Sequence, residues 1–193
     1  MRIVVMVSGS GTNLQAVLDA VREGRIDVEI AAVGADKPCR GLERAEAAGI
    51  ETFVVAPREH PDRARWNRAL ERAVAAHAPD RVLFAGFMRI VDAAFVEAFS
   101  GRIINTHPSL LPSFPGAHAV RDALAHGVKV TGVTVHEVVA DVDAGPILAQ
   151  AAVPVLPGDT EEELHERIKT AERALLVDTL GALAREGALR DAR

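Results

Sequence analysis

Asn105 and His107 stand two residues apart at the end of the apolar run Ile103-Ile104. In an extended segment side chains repeat every second residue, so the amide and the imidazole share a face. Together they can act as paired donors to one carbonyl oxygen on which negative charge develops. Pro108 follows and restricts the backbone at His107. A lone histidine is more often a packed or surface residue; Asn105 beside it tips the reading towards chemistry. Asp143 lies in Ala140-Asp141-Val142-Asp143-Ala144-Gly145-Pro146, where a polar turn between strands could use either aspartate. An acid near His107 would favour the charged imidazole, but spacing alone does not bring the two together.

A second chemical signal is Ser8-Gly9-Ser10-Gly11-Thr12-Asn13. Glycines let a backbone approach a ligand closely, and a helix N-terminus offers unpaired N–H groups and positive dipole to an anion. Thr12 and Asn13 can add side-chain hydrogen bonds. A tight strand-to-helix turn with an N-cap explains the same residues. Leu14 occupies the third glycine position of a dinucleotide fingerprint, and no P-loop lysine follows. A monophosphate therefore suits the loop better than NAD or ATP. Asp36, near the end of the second strand, is the one feature favouring a dinucleotide.

The elements that must position these residues alternate from the start. Ile3 to Val7 reads as a strand buried on both faces, and Leu14, Val17, Leu18 and Val21 recur at helical spacing before Gly24. Strands are predicted over Val28–Val33, Thr52–Val55, Val82–Ala85 and Arg102–Asn105. Leu42–Ala48 reads as a short helix, and Asp62 can cap a helix carrying Trp66, Leu70 and Val74 on one face. Such short helical returns imply a parallel sheet. Ala119–Ala125 predicts a short helix, and Val128–Val139 with Ile147–Val155 a pair of strands, possible antiparallel neighbours. Thr160 and Glu163 form a capping box for a long final helix reaching about Glu186. Ligands gather outside the carboxyl ends of such strands. The loops at Ser8–Asn13, Gly86–Ile90 and Asn105–Ser109 are thus expected to build one composite site.

Composition narrows the setting. A chain of 193 residues suits one domain with its own core. The net charge of -5 offers nucleic acid no general attraction, and no apolar run is long enough to span a bilayer. The opening apolar run ends at Ser8 without a cleavage pattern and is read as a strand, not a leader. Cys39 is the single cysteine, so neither a disulfide within the chain nor a cysteine-based metal site is expected. A cytoplasmic protein with no membrane or nucleic-acid partner is the simplest reading; nothing in the pattern fixes an oligomeric state.

Across nearly its whole length the chain resembles the glycinamide ribonucleotide formyltransferases of purine synthesis. The resemblance is carried by Ser8-Gly9-Ser10-Gly11-Thr12-Asn13-Leu14-Gln15, Gly41-Leu42-Glu43-Arg44-Ala45, Ala85-Gly86-Phe87-Met88-Arg89-Ile90, Asn105-Thr106-His107-Pro108-Ser109-Leu110-Leu111-Pro112, Gly132-Val133-Thr134-Val135-His136 and Asp143-Ala144-Gly145-Pro146. It implies a formyltransferase fold of the α/β class: a mostly parallel central sheet, a Rossmann-like first half and a long C-terminal helix. It implies a single unit over 1–193, with residues 1–100 as the nucleotide- and phosphate-binding half and 101–193 as the folate-binding and catalytic half. The family moves the formyl group of 10-formyltetrahydrofolate, its co-substrate, to the amine of glycinamide ribonucleotide.

By this resemblance Asn105, His107 and Asp143 are catalytic. Gly11, Thr12, Asn13, Met88, Lys169 and Glu172 contact the ribonucleotide. Arg63, Met88, Arg89, Ile90, Val91, Asn105 and the loop Ala140, Asp141, Val142, Asp143, Ala144 contact the folate. Lys169 and Glu172 share a helix face, where a surface ion pair is the plainer reading. His118 and His136 match family histidines, with structural roles equally open. Glu137 departs from the usual apolar or aromatic residue and is expected to change local packing or exposure. No metal is expected, because side-chain donors suffice for the charge. The alternatives are a formyltetrahydrofolate hydrolase, a formyltransferase with another acceptor, and a non-catalytic nucleotide-binding module.

Overall fold

The computed structural model describes residues 1–191 and is built on one seven-stranded sheet. Its strands are β1 (Arg2–Val7), β2 (Glu29–Ala35), β3 (Thr52–Val54), β4 (Arg81–Phe84), β5 (Ile103–His107), β6 (Val130–Glu137) and β7 (Ile147–Pro154), in the order β3-β2-β1-β4-β5-β6-β7. The first five run parallel, and β6 and β7 are antiparallel to their neighbours. The helices are α1 (Thr12–Arg22), α2 (Arg40–Ala47), α3 (Arg63–Ala75), α4 (Ala93–Ala98), α5 (Ala119–His126) and α6 (Glu161–Asp191). This is the predicted α/β architecture.

Period-2 alternation sorts each strand onto two cores. Ile3, Val5 and Val7 pack with Leu14 and Val17 of α1 and Leu176 and Leu180 of α6. Val4 and Met6 face the other way, onto Trp66 and Leu70 of α3 and Phe95 of α4. A wholly buried side chain such as Leu70 or Leu83 contributes roughly 1.5–3 kcal/mol by leaving water. The same parity governs β5: Ile104 belongs to the first core and Ile103 to the second.

Helix boundaries follow local chemistry. The Asp62 side chain accepts from Arg65 N at 2.7 Å and caps α3. Glu163 N donates to Thr160 Oγ1 at 3.2 Å while Thr160 N donates back to Glu163 Oε2 at 2.9 Å, completing the predicted capping box. Helix α4 went unseen in the sequence because six residues carry little periodicity, although Asp92 caps it through Phe95 N at 3.0 Å.

Arg167 clamps Asp159 through two guanidinium nitrogens, at 2.8 and 2.7 Å, and ties the β7–α6 connection to α6. Hydrogen bonds from Arg167 hold the Asp159 carboxyl down at about 2 from its usual 3.8. A depressed carboxylate stabilises the fold fully above its unfolded value and loses that effect as pH falls through its folded value. The stability advantage of the wild type over Arg167→Gln is therefore expected to shrink as pH falls from 3.8 to about 2, as followed by acid unfolding. An advantage unchanged across that window would show that the clamp is not its source.

Candidate active site

The direction of the chain reverses at β1: β2 and β3 lie on one side and β4 and β5 on the other. A crevice therefore opens at the carboxyl ends of β1 and β4, where ligands of such sheets bind. Met88 N donates to Ser8 Oγ at 2.9 Å, joining the loop after β4 to the loop after β1. Arg89 Nε donates to Asp36 at 2.7 Å, joining the end of β2 to the same region. Burial works to raise the Asp36 carboxyl, but the adjacent Ser8 and Arg89 outweigh it and hold it below its ordinary value. Asp36 is thus engaged by a cation inside the protein, which removes the one sequence feature that favoured a dinucleotide.

The loop after β1 enters α1 through Gly11, whose φ of 68° is left-handed. A Cβ there would sit 2.6 Å from Gly41 Cα, so glycine is required twice over, by conformation and by close approach. Gly41 N donates to Gly9 O at 2.9 Å, and Arg44 Nε to Ser10 O at 2.8 Å, so α2 buttresses the loop from behind. No side chain caps α1 and its first turn holds no acid, leaving first-turn N–H groups available to an anion. Asn13 is buried and its amide oxygen has no partner among the described residues.

On the opposite side of the crevice, Asn105, His107 and Asp143 come together. His107 is 5% exposed; its Nε2 lies 2.8 Å from Phe114 O and its Nδ1 3.4 Å from Asp143 Oδ2. The contact to Phe114 O puts a proton on Nε2, while the Asp143 carboxylate stands beside Nδ1. Asp143 takes a left-handed φ of 54° and accepts from Gly116 N at 2.7 Å, which fixes its carboxylate against the Phe114–Gly116 turn.

His136 sits opposite Asn105 in the β5–β6 ladder and is 2% exposed. Its Nδ1 lies 2.9 Å from Glu137 O, so that nitrogen carries the proton, and Nε2 accepts from Asn105 Nδ2 at 3.3 Å. Burial pushes His136 below the usual histidine value, keeping the ring neutral and Nε2 an acceptor. The Asn105 amide is thereby oriented, with one N–H unpaired among the described residues. Asp143 Oδ1 is 3.7 Å from His136 Nε2, so the acid lies between the two histidines. The carbonyl of Glu137 serves this cluster while its side chain turns to Arg81, 3.7 Å away.

The other sequence-derived residues divide. Met88 and Ile90 are strongly exposed, at 79% and 63%, and with Arg63, Trp66 and Arg89 they line a groove of about 460 Å³. Arg63 donates to Ile90 O at 2.5 Å. Val91 is instead packed in the core beside Phe87 and Phe95, so its side chain is withdrawn from the groove. In the loop Ala140–Ala144 only Asp143 is partly buried; Ala140, Asp141, Val142 and Ala144 are exposed. Lys169 pairs with Glu166 at 2.7 Å, not with Glu172, which is buried and accepts a hydrogen bond from Thr106. His118 is exposed at the start of α5 and bonds to none of the cluster. Sequence reading missed Gly116 N, Phe114 O and Gly41, which act through backbone and leave no side-chain signature.

The seven-stranded α/β sheet brings an amide, an imidazole and an acid together at the crevice, an arrangement able to stabilise charge on a carbonyl oxygen. Residues 1–180 match the family described as formyl transferase, and the chain belongs to that family. It is 54% identical over 186 residues to phosphoribosylglycinamide formyltransferase of Mycobacterium tuberculosis H37Rv, covering 96% of this chain and 86% of that protein. The Escherichia coli K12 enzyme of the same name is 44% identical over 176 residues, covering 91% and 83%. The structure of glycinamide ribonucleotide transformylase 1 from Symbiobacterium toebii superposes with a TM-score of 0.93 at 49% identity, covering 96% and 88%.

Proposed function

We propose that the chain transfers the formyl group of 10-formyltetrahydrofolate to the amine of 5'-phosphoribosylglycinamide, in purine biosynthesis. The observation that carries this reading is the placement of Asp143 against His107, with Asn105 on the same strand face and an uncapped helix N-terminus across the crevice. Gly11, Thr12 and Asn13 receive the phosphate. Arg63, Met88, Arg89, Ile90 and the exposed loop from Ala140 to Ala144 receive the folate, with Met88 between the two ligands. Val91 contributes through backbone, its side chain being committed to the core. The site draws its phosphate-binding residues from 1–100 and its catalytic residues from 101 onward, as two halves of one unit.

The amine nitrogen attacks the formyl carbon, giving a tetrahedral adduct with charge on the former carbonyl oxygen. The free N–H of Asn105 donates to that oxygen, while the His107 imidazolium, its ring nitrogens facing Phe114 O and Asp143, acts through the positive charge that Asp143 supports. Asp143 also receives the proton lost by the amine, through water. The bond to N10 then breaks and N10 takes up a proton, so formylglycinamide ribonucleotide and tetrahydrofolate leave. The substrates are small molecules, a cytoplasmic setting is the reading consistent with them, and no step as written calls on a metal.

Mixing the protein with both substrates and following both products tests the reading. Equal yields of formylated ribonucleotide and tetrahydrofolate, dependent on the ribonucleotide, are expected. Tetrahydrofolate released without formylated ribonucleotide would reveal a hydrolase or another acceptor. No turnover by folded protein would leave a binding module.

A further inference from the structure

Thr106 sits between the two residues that face the formyl group, yet it points away from them. Strand parity puts Asn105 and His107 on the side of Ile103, and Thr106 with Ile104 on the side that packs against α1 and α6. There its hydroxyl donates to Glu172 Oε1 on α6, across 66 positions of sequence. Glu172 is 8% exposed and forms no ion pair with any described Lys, Arg or His; Lys169, one turn away, is taken by Glu166. A carboxylate that is nearly buried without a cation is costly unless hydrogen bonds hold it. Thr106 supplies such a bond from within the protein. The next residue of α6, Arg173, lines a cavity with Thr12 at the start of α1, so this part of α6 borders the phosphate loop.

We propose that Thr106 is a positioning residue for the ribonucleotide: its hydroxyl fixes the Glu172 carboxylate so that the remaining acceptor capacity meets the donors of the ribonucleotide's amine and ribose. The inference rests on the reading that Glu172 addresses that substrate. The tip of β5 then serves both halves of the reaction, Asn105 and His107 acting on the formyl group and Thr106 arranging the acceptor. Such a residue alters affinity for the ribonucleotide and leaves the charge-stabilising donors in place.

The test is calorimetric binding of 5'-phosphoribosylglycinamide to wild type, Thr106→Val, Thr106→Ser, Glu172→Met and the Thr106→Val/Glu172→Met double variant, each first shown to be folded by thermal melting. Valine keeps the shape and strand preference of threonine, so loss of the hydroxyl is isolated. Thr106→Val is expected to weaken binding roughly tenfold, the lower end for a hydrogen bond to a charged group. Thr106→Ser is expected to restore it, the double variant to bind no worse than Glu172→Met, and the KM for the folate to stay within about twofold. If Glu172→Met weakens binding while Thr106→Val does not, the role of Thr106 is wrong and the reading of Glu172 stands. Equal losses in Thr106→Val and Thr106→Ser would likewise overturn it, in favour of strand packing. If Glu172→Met binds normally, the reading of Glu172 falls and the inference with it.

Discussion

Asn105→Ala is expected to lower kcat for formyl transfer by ~10²–10³, the usual cost of removing one preorganised donor from a developing oxyanion. The effect should fall on kcat more than on either KM, because the lost bond is strongest when the oxygen carries charge. The amide is held for this task. His136 Nε2 accepts one of its N–H groups at 3.3 Å, which leaves the other directed by geometry and not by chance. His107→Ala is expected to act similarly, although that side chain is 5% exposed and its removal also leaves Phe114 O and Asp143 without their partner. Asn105→Ala is therefore the cleaner probe, with a thermal melt as its control. Turnover within about threefold of wild type, in folded protein, would remove Asn105 from the mechanism.

The second large effect is expected from a residue that touches no substrate. Gly145 lies two positions after Asp143, and a Cβ there would stand 1.8 Å from Glu137 O and 2.8 Å from Glu137 C. Backbone on both sides cannot give way by a side-chain rotation, so Gly145→Ala must move the loop or β6. Glu137 O is also the acceptor for His136 Nδ1, and Glu137 N donates to Pro146 O at 2.9 Å. The displacement is thus transmitted to the imidazole that orients Asn105 as well as to the carboxylate of Asp143. A shift of about 1 Å at such a site can cost ~10² in rate. Gly145→Ala is expected to lose about that much in kcat together with a fall in Tm. Near-normal kinetics would show that the loop tolerates displacement and that Asp143 is not held to a narrow position.

These expectations also mark where sequence alone was sufficient. The pairing of Asn105 with His107 was legible because strand parity is a property of the backbone. The turn at Ser8–Asn13 was legible because glycines and a following amphipathic run identify a strand-to-helix turn. The Asp62 cap and the Thr160–Glu163 box could be read because capping acts over three residues. The position of Asp143 could not. It depends on how the β6–β7 hairpin returns, including a register shift between Val135 and His136, and on the turn that presents Gly116 N. The Ser8–Met88 and Asp36–Arg89 contacts lie 80 and 53 positions apart and are products of strand order. That the Val91 side chain packs in the core was not legible, because its neighbours Arg89 and Ile90 are exposed and burial there depends on Phe87 and Phe95. The plainer alternative for Lys169 and Glu172, a surface ion pair between them, does not form: Glu166 lies equally three positions from Lys169 and takes it, and the carboxylate of Glu172 faces Thr106.

The central claim is that the donor pair and the acid act as one unit on the formyl group. Its most direct test is the single-turnover rate of Asp143→Asn under saturating 10-formyltetrahydrofolate and ribonucleotide, quenched chemically and compared with wild type. The isosteric amide keeps the capacity to accept from Gly116 N while removing the charge that faces His107. A loss of at least ~10² in the chemical step, with both ligands still bound, is the predicted result. A rate within about threefold of wild type would contradict the account and send the search for the proton acceptor elsewhere in the crevice.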